Sequence, residues 1–213
     1  GQFIARRPDG TWVTTRAIED IEIPSSVNDL IQARIADLAE EEQELLDVAA
    51  CCGFEFDPGL VAEATGKAKI PALRRFAPLE RVHRLVRASG ERFAFDHGQV
   101  QETLYQALHP SLAREYHAAI GKAIAARDAT PDGALAVQLC EHLMKGGCAK
   151  DAVPFLETAL RCLEADHQYH SALELADRAL DEPDLLAGDR RIRILLLKER
   201  TQVAVGRVLD NTS

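Results

Sequence analysis

Hydrophobic positions follow helical spacing along most of this chain. Apolar residues at i, i+3 and i+4 predict a helix that begins after Ile23-Pro24-Ser25-Ser26, where a serine side chain would supply the N-cap. A second helix is predicted over residues 40–52, with three glutamates in its first turn and Gly53 at its end. Asp57-Pro58 predicts the start of a short third helix that ends at Gly66.

Two short stretches instead alternate between apolar and polar positions and predict β-hairpins. Residues 1–15 would turn at Asp9-Gly10, and residues 84–95 would turn at Ser89-Gly90. Between the third helix and the second hairpin, residues 70–86 are helical in pattern but interrupted by proline. We expect Pro78 to end or kink a helix there.

After the second hairpin the pattern is helical throughout. Helices are predicted over residues 98–108, 111–127, 134–144, 151–165, 169–180 and 189–208. Short amphipathic helices at this spacing are typical of a helical-repeat array. We therefore predict a mostly α chain: residues 1–15 form a hairpin left from a preceding domain, residues 16–109 a winged-helix-like domain with small hairpins, and residues 110–213 the helical array.

Charge is unevenly distributed along the 213 residues. The net charge of −9 argues against general affinity for nucleic acid. Residues 66–92, however, carry a local charge of +6, which leaves −15 for the rest. The candidate surface arginines of this basic patch are Arg74, Arg75, Arg81, Arg84 and Arg87. They could contact DNA phosphates, form an ordinary solvated helix face, or pack on an acidic part of the protein.

The five cysteines form no regular disulfide framework, which indicates reduced thiols and a cytoplasmic protein. Cys140, His142 and Cys148 are spaced C-x-H-x5-C, which matches no standard zinc pattern, so we predict no metal site. No apolar run approaches the roughly 20 residues of a membrane span. The chain lacks an initiator Met and starts as if inside a strand, so we expect a segment of a longer protein.

Three groups of residues resemble one family of signalling proteins. The first combines Ile23-Pro24, Asp29-Leu30-Ile31 and Arg34-Ile35 with Leu45-Leu46, Ala49-Ala50, Gly53 and Phe56; the second combines Phe93, Phe95, His97, Val100, Tyr105 and Leu108; the third comprises Pro154-Phe155-Leu156 and Ala172-Leu173 with Ala176 and Ala179-Leu180. Their order is similar to that of the winged-helix and tetratricopeptide-like regions of STAND-class signalling ATPases, which are related to the NACHT and NB-ARC ATPases. These include bacterial regulators linked to cyclase, kinase or LuxR-type domains. The resemblance covers about residues 21–180.

The resemblance implies a role for His97. In such proteins a histidine at the start of this segment touches the β-phosphate of bound ADP and holds the closed state. His97 could equally be a capping or turn-stabilising residue that bonds a backbone carbonyl. This chain departs from the family pattern at Asp96, where arginine is commoner, and at Gly98, where alanine is often found.

The sequence contains no G-x-x-x-x-G-K-[ST] loop and no local nucleophile–base pair. We therefore expect this chain to be non-catalytic and to hold no cofactor, with ATP or ADP bound by an ATPase domain upstream in the parent protein. The expected function is regulatory: coupling nucleotide state to a protein partner or effector through the helical array, without nucleic acid or membrane. The alternative is a winged-helix DNA-binding module with a helical ligand-sensing or dimerisation region.

Overall fold

A computed structural model describes residues 4–6, 12–14 and 27–210, with side chains for residues 30–206. The chain separates into two units, residues 1–37 and 38–213. In the first unit, β1 (Ile4–Arg6) pairs antiparallel with β2 (Trp12–Thr14), and α1 spans Val27–Ala36. The paired strands confirm the first hairpin, while the predicted Asp9-Gly10 turn and serine cap lie outside the described residues.

The second unit begins with helices whose ends follow the predicted capping residues closely. Helix α2 spans Glu40–Cys52, and Gly53 after it has φ 116°, a conformation that favours glycine. Helix α3 spans Pro58–Ala64, and the Asp57 carboxylate accepts a hydrogen bond from the Gly59 N–H at 2.7 Å. Helix α4 spans Lys69–Arg81.

A three-stranded antiparallel sheet accompanies these helices. It comprises β3 (Glu55–Phe56), β4 (Val86–Ser89) and β5 (Arg92–Phe95), in the order β3-β5-β4. The β4–β5 pair is the predicted hairpin, with Val86 opposite Phe95 and Gly90 at φ 63° in the turn. Strand β3 was not predicted, because two residues are too few to show a period of two.

An aromatic cluster joins the sheet to α4. The ring of Phe76 lies 5.5 Å from that of Phe56 and 5.2 Å from that of Phe93, and Phe56 lies 5.3 Å from Phe95. Phe56, Phe76 and Phe95 are fully buried. The ring separations are typical of favourable aromatic pairs, so this cluster fixes the sheet against the helix.

The remaining helices follow in sequence. They are α5 (Gly98–Ala107), α6 (Pro110–Arg127), α7 (Gly133–Lys145), α8 (Ala149–Ala152), α9 (Leu156–Ala165), α10 (Tyr169–Asp181) and α11 (Gly188–Asp210). From α6 onward, α6 packs against α7, α7 against α8 and α9, α9 against α10, and α10 against α11. Helices α2 and α3 also pack on α6, so residues on both sides of position 109 share one unit.

Two prolines lie within predicted helical segments. Helix α4 continues past Pro78 and ends three residues later, at Arg81. The single helix predicted over residues 151–165 is wrong: it is divided into α8 and α9 around Pro154. Tight i to i−3 bonds, from Val153 N–H to Lys150 O and from Phe155 N–H to Ala152 O, replace the ladder that Pro154 interrupts.

The described chain is therefore mostly helical with a small antiparallel sheet, which confirms the predicted fold class at that level. Among residues 27–210, no helix combines the length and apolar character needed to cross a membrane.

Candidate functional site

His97 is the N-cap residue of α5. Its backbone is extended, with φ −141° and ψ 142°, and its carbonyl accepts the Val100 N–H at 3.0 Å. The imidazole is exposed and makes no capping bond. His97 therefore caps α5 through its backbone and not through its side chain. Its imidazole lies in solvent at the N-terminus of α5, the positive end of the helix dipole.

The frame beneath His97 is well anchored. The Asp96 N–H donates to Leu85 O at 2.9 Å, and the Phe95 N–H donates to Phe54 O at 3.0 Å. On the helical side, Gln101 donates from its side-chain amide to Ala50 O in α2 at 2.8 Å. Backbone and side-chain bonds thus hold the start of α5 against both the sheet and α2.

The far end of α5 enters a chain of three polar side chains that sequence reasoning missed. The Tyr105 hydroxyl lies 3.0 Å from His117 Nε2, and His117 Nδ1 lies 2.8 Å from His142 Nδ1. Both histidines are buried, although histidine is often exposed. This polar chain, Tyr105–His117–His142, connects α5 to α6 and α7. The only sign of it in the sequence is that both histidines fall among the apolar positions of their helices.

Both histidines of this polar chain are held neutral. Burial, followed by the charges of Lys145 and Arg178, lowers the pKa of His117 to about 4. Burial, followed by His117 and Lys145, lowers the pKa of His142 to about 3. Two facing Nδ1 atoms can share only one hydrogen, so one ring donates and the other accepts. If a second proton bound, both Nδ1 atoms would carry a hydrogen, and the two N–H groups would repel each other.

The five arginines of the predicted basic patch lie on α4, in the segment after it and on β4. Arg75 is turned toward α2, where it pairs with Glu41 at 2.7 Å. Arg74 and Arg81 lie two turns apart on the side of α4 opposite its buried residues. Arg84, with φ 51°, follows α4, and Arg87 lies in β4. All five arginines are exposed, and within residues 30–206 only Arg75 has an ion-pair partner.

The side chains of the Cys140, His142 and Cys148 group lie in different environments. Cys140 is buried and its thiol lies 3.8 Å from Ala152 O, whereas His142 turns to His117. Burial, followed by Glu141, raises the pKa of Cys140 to about 12, which disfavours the thiolate that binds metal. Within the described part of the chain, no group of three or more potential ligands is placed to hold a metal ion.

An acidic cleft of about 330 Å³ lies beside α2. Its charged lining residues are Glu40, Glu41, Glu44 and Asp47, and Tyr116 of α6 completes it. Burial, followed by Glu44, raises the pKa of Asp47 to about 6. Lys67 pairs with Glu44 at 2.8 Å and partly neutralises the cleft.

Comparison of the sequence with protein-family models and with curated proteins found no match, and comparison of the fold with solved structures found none either.

Proposed function

We propose that this chain is a non-catalytic regulatory segment of a STAND-class signalling ATPase, which couples the nucleotide state of an upstream domain to partner recognition by the helices after α5. In this proposal residues 16–109 act as a winged-helix-like domain and residues 110–213 as a tetratricopeptide-like array. Any ATP or ADP would be held by the upstream domain. The motif resemblance motivates the proposal, and the geometry of α5 supports it.

The observation that carries the proposal is that one short helix, α5, joins His97 to the buried polar chain Tyr105–His117–His142. His97 is exposed at the start of α5, and Tyr105 near its end contacts the buried His117. The step of eight residues from His97 to Tyr105 corresponds to about 12 Å along a helix axis. A contact that pulls on His97 would thus be transmitted to α6 and α7 by a rigid element, and loss of that contact would release them.

The chemistry at His97 suits a phosphate ligand. A neutral imidazole has one N–H donor, and a protonated imidazole also carries positive charge. The adjacent helix N-terminus favours an anion. In the parent protein, His97 would favour the ADP-bound closed form, and release of ADP would open it.

The test uses the parent protein with its upstream domain. His97→Ala should raise basal signalling and hasten ADP release, because the closed form loses its bond to a phosphate. His170→Ala is the matched control, since His170 is an exposed histidine on α10. Unchanged signalling and unchanged ADP retention in the His97 variant would contradict the proposal, as would an upstream sequence without a nucleotide-binding loop.

A second candidate function is a winged-helix DNA-binding module with a helical ligand-sensing or dimerisation region. It is favoured by the exposed Arg74, Arg81, Arg84 and Arg87, which have no ion-pair partner among residues 30–206. Affinity for duplex DNA should then fall steeply with salt, and Arg74→Ala with Arg81→Ala should flatten that slope by about one for each phosphate that is no longer neutralised. Arg75→Ala is the control, because Glu41 already occupies Arg75. No binding at low salt would exclude this function.

A further inference from the structure

Helices α9 and α11 run side by side in the same direction and are joined by two ion pairs. Arg193 Nε lies 2.6 Å from Glu157 Oε1, and Arg200 pairs with Glu164, which also accepts a hydrogen bond from Thr201 at 2.8 Å. Glu157 and Glu164 are two turns apart on α9, as Arg193 and Arg200 are on α11. The two pairs therefore form matching rungs of a charge ladder.

Arg161 lies midway between these rungs, and no carboxylate of residues 30–206 lies within ion-pair distance of it. It is on the same side of α9, four residues after Glu157 and three before Glu164. It lines a cleft of about 200 Å³ with Arg193, Leu196, Leu197 and Arg200. Within residues 30–206 it makes no ion pair or hydrogen bond, and its side chain is exposed. Its charge acts on Glu164, but Glu164 pairs directly with Arg200, so Arg161 is a third positive charge at this cleft without a direct ion pair.

An apolar cleft adjoins this cationic one. It has a volume of about 340 Å³, and its lining includes Ile192, Leu195 and Leu196 on the outer side of α11. Leu196 lines both clefts and is 61% exposed, and Ile192 is 56% exposed. The inner side of α11 already packs through the buried Ile194 and Leu197. Helix α11 therefore has a second apolar stripe, beside a free guanidinium group.

We propose that these adjoining clefts bind an acidic amphipathic helix of a protein partner, with its aliphatic side chains against Ile192, Leu195 and Leu196 and a carboxylate on Arg161. A helix presents residues at i, i+3 and i+4 along one side, which suits a stripe of the same period. A carboxylate would complete the ladder, because guanidinium groups bind carboxylates with two parallel hydrogen bonds. This inference rests on the proposed function, and it names the partner surface and the partner chemistry.

Charge argues against a second copy of α11 as the occupant. The segment from residue 192 to residue 203 carries three basic residues, Arg193, Lys198 and Arg200, and one acidic residue, Glu199. Glu157, Glu164 and Asp177 each pair with one of those basic residues within the chain. A second copy would therefore offer Arg161 no carboxylate from this segment other than Glu199. An acidic partner is the better electrostatic match.

The probe is a fluorescein-labelled synthetic peptide of roughly four helical turns. It carries leucines along one side and glutamates beside them, and a matched peptide has lysine in place of glutamate. Fluorescence anisotropy would measure both against the wild-type chain and its variants Arg161→Glu, Leu196→Gln and Lys122→Glu. Lys122 is an exposed residue of α6, so Lys122→Glu changes the net charge equally but lies outside the clefts.

The glutamate peptide should bind the wild type and Lys122→Glu with similar affinity. Its affinity for Arg161→Glu and for Leu196→Gln should be lower by about tenfold or more. Its binding should weaken at higher salt, since surface charge pairs are screened. The proposal is overturned if the wild type does not bind the glutamate peptide at low salt, if the lysine peptide binds as well, or if Arg161→Glu behaves like Lys122→Glu. A wild-type dimer that Leu196→Gln dissociates would also overturn it.

Hydrogen exchange separates this inference from the proposed function. With a bound partner of the parent protein, protection of α9 and α11 supports the clefts. Protection confined to α6, α7 and α10 would exclude the clefts as the binding site but would agree with the proposed regulatory role of the array. No protection anywhere after α5 would contradict both proposals.

Discussion

The Nδ1 atoms of His117 and His142 lie 2.8 Å apart in the interior of the second unit, where α6 meets α7. At this separation one ring donates a hydrogen to the other, and the Tyr105 hydroxyl completes the bonding of His117. The arrangement tolerates neutral rings and penalises protonation. Acid should therefore act on the stability of this unit through these two residues.

The first prediction concerns stability between pH 7 and pH 4. The pKa values are about 4 for His117 and about 3 for His142 in the folded chain, below the ordinary histidine value of 6.5. Below pH 6.5 the unfolded chain thus binds more protons than the folded one, so the free energy of unfolding falls as pH falls. The loss should approach about 1.4 kcal/mol per pH unit for each histidine. Urea denaturation at several pH values measures it.

The control for this pH series replaces both histidines by leucine. Asp47, whose raised pKa of about 6 acts in the opposite direction, is present in both proteins, so its contribution cancels in the difference. The slope of stability against pH should be shallower in the double variant between pH 6 and pH 4. Equal slopes would show that the histidine pair does not control the acid response.

The second prediction concerns the aromatic cluster. Phe76→Ala should lower the free energy of unfolding by about 3–5 kcal/mol, because Phe76 is fully buried against Phe56 and Phe93. Val82, which follows the same helix, is 72% exposed. Val82→Ala should change stability by less than about 0.5 kcal/mol. Thermal and urea unfolding measure both, and similar losses would mean that α4 is turned differently.

The third prediction compares two glycines. A Cβ at Gly146 would lie 2.5 Å from the Ala118 backbone nitrogen, so α7 could not end as close to α6. Gly146→Ala should cost about 1–3 kcal/mol through overpacking. A Cβ at Gly98 meets open space at the start of α5, and Gly98→Ala should instead stabilise by up to about 1 kcal/mol. The melting temperatures of the two variants should shift in opposite directions from that of the wild type. A shift in the same direction would contradict the close approach of Gly146 to Ala118.

The fourth prediction concerns the ion triad between α3 and the end of α6. Arg127 contacts Glu63 through two nitrogens, at 2.6 and 3.0 Å, and Asp57 at 2.5 Å. Burial tends to raise the pKa of Asp57, but the hydrogen bonds from Arg127 and Gly59 prevail, so its pKa lies below the ordinary value. Arg127→Lys keeps the charge and loses the fork geometry. Since the three side chains are between 35% and 48% exposed, we expect a loss of only about 1 kcal/mol.

Salt dependence tests the same triad. The difference between wild type and Arg127→Lys should shrink as ionic strength rises, because exposed charges are screened. Arg81→Lys is the control, since Arg81 is exposed at the end of α4 and has no ion pair among residues 30–206. If both substitutions cost the same, the triad does not tie α6 to α3.

Local chemistry made most helix ends predictable. Gly53 ends α2, the Asp57 side chain with Pro58 begins α3, and Gly90 turns the β4–β5 hairpin, each for a reason confined to a few residues. The strand that the sequence did not predict depends on partners elsewhere in the chain. Strand β3 exists because Glu55 and Phe56 pair with Ala94 and Phe93, and no local pattern carries that information.

The candidate site likewise has features that the sequence predicted and features that depend on the tertiary structure. The sequence placed His97 at the junction of a strand and a helix, and the structure puts it there as the N-cap of α5 with an exposed imidazole. Its proposed phosphate contact stays a prediction. The sequence also grouped five arginines by their positions along the chain, and the structure pairs one of them, Arg75, with Glu41.

What the sequence determined by itself was periodic and local: a mostly helical chain, a hairpin before α5, and a histidine at the start of that helix. Only the tertiary structure decided which side chains meet. His117 and His142 are 25 residues apart, and Glu157 and Glu164, the neighbours of Arg161 on α9, bond to arginines 36 residues further along the chain. A hydrogen bond or ion pair depends on distance in space, which hydrophobic period and capping do not encode.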